Sequence, residues 1–125
     1  MTTTAKALYQ FFSSFGLPAF VENNVPDLID GVEVEPPYIT YQLIEPDALR
    51  EASFYARVWY IDESFEAISM KVDQIRRAID RGYSVPIDGG VLWIWPDNNF
   101  CQFQPPDEPK LKIAYLSMIL AAYHN

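Results

Sequence analysis

The side chains in this sequence that could do chemistry are few, and their spacing does not assemble a reaction centre. His124 is the sole histidine. A catalytic imidazole needs a fixed partner, and a position next to the end seldom supplies one. Cys101 is the sole cysteine and lies between Phe100 and Phe103. It lacks a plausible base, so it reads as a small buried or half-buried side chain. Zinc wants several Cys or His ligands, and there is one of each. Asp27, Asp30, Glu33 and Glu35 share one segment and could approach a hard cation. Their spacing lacks the central glycine and terminal glutamate of a calcium loop, so they read as a solvated acidic loop. Among 17 acids no spacing singles out a glycosidase pair. A strand, not a helix with a lysine, follows Gly89-Gly90, so this is a tight turn between strands and not a phosphate loop. The sequence therefore assigns no catalytic, cofactor-binding or metal-binding residue, and the chain reads as no enzyme.

The aromatic residues carry more information. Trp59, Trp93 and Trp95, with Tyr55, Tyr60 and Phe100, could form a stacking platform for a sugar or a base. The chain has no basic groove, which argues against nucleic acid. Trp93 and Trp95 point to the same side of one strand. Entry of both into the core is the default reading, and one exposed patch at a subunit interface is the alternative. Trp and Tyr are enriched in subunit contacts, which makes Arg57, Trp59, Trp93 and Trp95 the candidate subunit-interface residues.

The elements that would position these residues follow from period and punctuation. Leu8, Phe11, Phe12 and Phe15 recur at helical spacing behind Thr3 or Thr4, and Gly16 and Pro18 end the run. A helix over 4–15 is predicted. Residues 20–37 hold paired asparagines, prolines and acids and read as a long loop, with Val32 and Val34 as the alternative of a short strand. Residues 38–43 and 54–61 alternate as strands. The second has aromatics on both faces, so neither face is plainly solvent. Ile68, Val72, Ile75 and Ile79 mark a second helix, starting at Glu63 or Ser64 and closed by Gly82. The turn before it carries acids and aromatics, with nothing to hold a phosphate or a nucleophile. Residues 91–95 form a strand, 96–99 a turn, 100–104 its hairpin partner, and 105–109 a stiff linker. The segment 110–123 has a period-2 start and is read as a strand, although its later residues have good helix propensity. The expected fold is α+β: a mostly antiparallel sheet with two helices packed on one face.

Bulk numbers set the frame. The 125 residues suit one domain, 1–125. Half are hydrophobic, enough for a core. A net charge of −8 without a basic stripe argues against sequence-specific nucleic-acid binding. One cysteine fits a reducing compartment. The start does not look like a signal peptide. The apolar run 113–123 is far short of the roughly 20 residues a membrane helix needs.

With these elements in place, the chain resembles small phage and prophage tail proteins of the tail terminator, or tail completion, type. The resemblance rests on residues 7–20 (ALYQFFSSFGLPAF), 37–42 (PYITYQ), 55–60 (YARVWY) and 88–95 (DGGVLWIW), and it covers nearly the whole chain. It implies a ring, usually a hexamer, capping the head-proximal end of the tail tube. Such a ring stops tube growth and meets the head-tail connector, with DNA passing through it. It implies as partners further copies of the chain, the tail tube protein and the connector proteins. It implies assembly in the bacterial host cytoplasm and a final place in the virion tail. Another neck component, such as a head-closure or minor tail protein, is the neighbouring alternative. A small-molecule binding module using Trp93 and Trp95 is the alternative from another class.

Overall fold

The computed structural model describes residues 2–47, 50–104 and 108–124. In chain order the elements are α1 (Thr4–Ser13), β1 (Ala19–Val21), β2 (Leu28–Ile29), β3 (Val32–Glu33), β4 (Tyr38–Tyr41), β5 (Glu51–Ile61), α2 (Glu66–Ile79), β6 (Tyr83–Ile87), β7 (Gly90–Gln104) and β8 (Leu111–His124).

Both helices form on the predicted stripes. Thr3 Oγ1 accepts from the Lys6 amide at 3.1 Å and caps α1. Ala7, Leu8, Phe11 and Phe12 face inward. The helix stops at Ser13, short of the expected Phe15, and the Ser14 hydroxyl donates to the Phe11 carbonyl at 2.6 Å. Helix α2 starts at Glu66 instead of Glu63 or Ser64. Asp62 and Ser64 are used in the preceding turn, where Asp62 Oδ1 accepts from the Ser64 amide and Ser64 Oγ from the Glu66 amide, each at 3.2 Å. Ile68, Val72, Ile75 and Ile79 are all buried. Burying a side chain of this kind contributes about 1.5–3 kcal/mol.

Six strands form one sheet in the order β1-β4-β5-β8-β7-β6. All neighbours are antiparallel except β1 and β4, which run parallel. With two helices this is the expected α+β fold. The last segment is a strand, as read from its period-2 start, and it lies between β5 and β7. Alternation along each strand separates two faces. Ile39, Tyr41, Phe54, Ala56, Val58, Leu92, Ile94, Leu116, Met118 and Leu120 point one way and join both helices in one buried cluster.

Two expectations about the strands are corrected, and one strand is new. Residues 91–95 and 100–104 are not a hairpin but parts of one strand, β7, and both pair with β8: Trp95 lies opposite Ile119 and Cys101 opposite Leu116. Between Pro96 and Cys101 the register shifts, so that residues 97–100 face Ser117 alone. The Pro-Asp-Asn-Asn segment makes a bulge, with Asn99 at φ 56°, where the sequence suggested a reversal. The stretch 20–37 is not one long loop. Ala19–Val21 adds an edge strand beside β4, and β2 and β3 form a separate hairpin. Asp30 and Gly31 both have positive φ, 50° and 79°, as a tight two-residue hairpin turn requires. Finally, residues 83–87, to which the sequence reading gave no element, form β6 and pair with residues 90–94 of β7 across the Asp88-Gly89 turn. Residues 105–107 of the expected linker lie outside the described residues.

Candidate functional site

The strand periodicity that buries one face of the sheet places Arg57, Trp59, Trp93 and Trp95 together on the other, the face away from the helices. Core entry, the default reading of Trp93 and Trp95, is therefore corrected: they lie on the face away from the helices. Leu92 and Ile94 take the inward positions at 0% exposure, and Trp93 is 36% exposed.

The four residues form two clusters. Arg57 pairs with Glu22, Nη1 to Oε1 at 2.9 Å. Its guanidinium also stands over the Tyr55 ring, 5.5 Å from the centroid. Trp59 Nε1 donates to Thr40 Oγ1 at 2.9 Å, and its ring packs against Tyr38. Tyr38 in turn meets Phe20 edge-on. Burial, and next the Glu22 carboxylate, push the Tyr38 hydroxyl pKa up from its ordinary value. The Arg57–Glu22 pair ties the connection after β1 to the open face, although Arg57 Nε and Glu22 Oε2 are buried without partners.

The second cluster is a cleft of ≈ 640 Å³ where the end of α2 meets β7 and β8. Trp93, Trp95 and Tyr123 supply its apolar walls, and Asp80 and Arg81 its charges. Gly82 packs against the Trp93 ring: a Cβ there would stand 3.3 Å from Trp93 Cε3. Arg57 lies opposite Tyr115 on β8, and Trp93 opposite Ala121. Six residues of strand separate these positions by ~20 Å at about 3.3 Å per residue. Between them run half-buried side chains, including Tyr115, which stacks on Tyr55 at 5.1 Å.

The reactive side chains stay apart. Cys101 sits on the core side opposite Leu116, while His124 is exposed opposite Gly90 at the far end of β8. Burial raises the Cys101 thiol pKa, with Arg76 opposing the rise. A thiol so placed is a poor nucleophile at neutral pH. Asp27, Asp30, Glu33 and Glu35 are exposed on and beside the β2–β3 hairpin. Among the described residues no group of three or more His, Cys, Asp or Glu is arranged to hold a metal, and no helix is long and apolar enough to cross a membrane.

Sequence reasoning missed the apolar tip of that hairpin. Leu28, Ile29 and Val32 are 60%, 45% and 68% exposed. The signal was present: Asp30-Gly31 flanked by apolar residues is a strong short-range hairpin pattern.

The chain matches no protein-family model, and no curated protein matches it in sequence.

Proposed function

We propose that this chain is a structural assembly protein of a phage or prophage tail. In this reading copies form a ring, of six subunits by the resemblance, at the head-proximal end of the tail tube. The ring stops tube growth and receives the head-tail connector. One observation carries the self-assembly part: among the described residues the sheet is covered by helices on one face only, and the other presents Tyr55, Trp59, Trp93, Trp95, Tyr115 and Tyr123. A wide aromatic face of this kind marks a contact surface. The resemblance of the four quoted segments supplies the tail. The net charge of −8 suits a lumen through which DNA slides without sticking.

Light scattering on the purified chain, alone and with tail tube and connector proteins, tests this. A closed ring, visible by negative-stain microscopy and able to cap tubes, is expected. A chain that stays monomeric with every partner overturns the reading. The flanking genes give an independent check: tail tube and tape-measure genes support it, and a metabolic operon opposes it.

The aromatic cleft favours a second reading, a small-molecule binding module. Its volume falls in the range of ligand sites, about 300–1,000 Å³. Quenching of tryptophan fluorescence by small sugars or aromatic compounds, lost in Trp93→Ala, would support it over assembly.

A further inference from the structure

We propose that the β2–β3 hairpin is an arm whose apolar tip docks in the Trp93–Trp95 cleft of a second copy of this chain. The inference rests on the self-assembly reading and names its contact. Three observations carry it. First, Leu28, Ile29 and Val32 stand in solvent on a hairpin whose two strands pair only with each other. Two paired strands are marginal alone, and such an apolar tip is an unfilled half of a contact. Second, the charges are complementary. No lysine or arginine lies between Lys6 and Arg50, and Asp27, Asp30, Glu33 and Glu35 flank the tip. The cleft holds Arg81, at the end of a helix that also carries Lys71, Arg76 and Arg77. Arg76 and Arg77 are paired with Asp73, while Arg81 makes no ion pair among the described residues. Asp80 also lines the cleft, and Arg81 is the one cation among the described residues that line it. Third, the arm leaves the sheet between β1 and β4, and the cleft lies at β7, beyond β5 and β8. The arm and the cleft occupy different parts of the sheet, so each contact joins unlike surfaces: repeated in one direction it closes rings or extends filaments, and exchanged reciprocally it closes a dimer.

The test uses full-length variants in two sets. Leu28→Asp with Val32→Asp removes the arm's tip and keeps the cleft. Trp93→Ala with Arg81→Glu removes the cleft and keeps the arm. Circular dichroism and melting confirm the fold of each. Should Trp93→Ala unfold the chain, Arg81→Glu alone replaces it, with Asp30→Lys/Glu33→Lys as the compensating arm. Light scattering is expected to show an oligomer for the unaltered chain, monomer for each variant alone, and a 1:1 dimer when the two variants are mixed. Variants that assemble like the parent overturn the arm while leaving self-assembly standing. An arm-dependent dimer or open chain supports the arm and overturns the ring. A parent chain that stays monomeric in isolation overturns the arm, and the ring is then judged on its tube and connector partners.

Discussion

Arg57 Nη1 donates to Glu22 Oε1 at 2.9 Å, so a residue in the middle of the sheet's open face fastens the connection that leads to the hairpin arm. The pair is partly sequestered: Arg57 Nε and Glu22 Oε2 are buried without partners. Removing one member leaves the other charge stranded. Arg57→Met is expected to destabilise the chain by about 1–3 kcal/mol. Replacing both, with Glu22→Leu added, should recover much of that loss. Urea unfolding of the two singles and the double measures the coupling. Single variants indistinguishable from the parent would show that the pair does not secure this segment.

Gly82 combines φ 86° with the close approach of the Trp93 ring, so alanine there meets backbone strain and a neighbour at once. Gly16 has φ 82° but open space around it. The left-handed backbone alone costs about 1–2 kcal/mol. Gly82→Ala should therefore cost more than Gly16→Ala, and should shift tryptophan emission, because Trp93 must move. Equal losses with unchanged emission would mean that the ring yields freely.

Tyr41 is buried and stacked on Phe12 at 4.7 Å. Burial, and secondarily Tyr9, raise its hydroxyl pKa above 10.0; burial does the same for Tyr60 and, with Glu22, for Tyr38. A raised pKa in the folded state means that the native chain holds the proton more tightly than the unfolded chain. The associated stability is complete below the unfolded value and is lost as pH rises through the folded one. The urea midpoint should hold near pH 8 and fall above about pH 10. Tyr41→Phe should fall less steeply. Parallel curves for the two proteins would remove Tyr41 from the account.

Cys101 should react with iodoacetamide more slowly than free cysteine at pH 8, because burial raises its pKa and limits access. Arg76 acts in the opposite direction. Arg76→Gln should slow the reaction further, and the rate in both proteins should climb with pH. A faster reaction in the variant would show that access, not ionisation, sets the rate.

Much of this fold was legible because its signals are local. The stripe Ile68, Val72, Ile75 and Ile79 defines α2 by spacing alone. Period 2 places Arg57 with Trp59, and Trp93 with Trp95, before any partner strand is known. Which side each pair takes was harder. Trp93 and Trp95 are as apolar as Leu92 and Ile94, and only the helices above the sheet decide between them. Strand pairing was least legible, because it is set by residues far apart in sequence. Phe100–Gln104 reads as the partner of Val91–Trp95 until β8 offers both segments a longer edge. The bulge at 97–100 has the composition of a turn, since Pro, Asp and Asn suit either backbone path. The start of α2 drifted because Asp62 and Ser64 are good caps for a turn as well as for a helix.

The place of β8 has a consequence for how the chain is made. This strand follows the other strands in chain order, yet it fills the middle of the sheet and pairs with β5 on one side and β7 on the other. During synthesis from the N-terminus, β5 and β7 emerge first, and each waits with an unpaired inner edge. Such edges are templates for pairing with other chains. The two halves of the sheet become one only when residues 111–124 arrive. Completion of the sheet therefore waits for β8 and joins distant parts of the chain, a kind of pairing that is slow and exposed to aggregation until it is made.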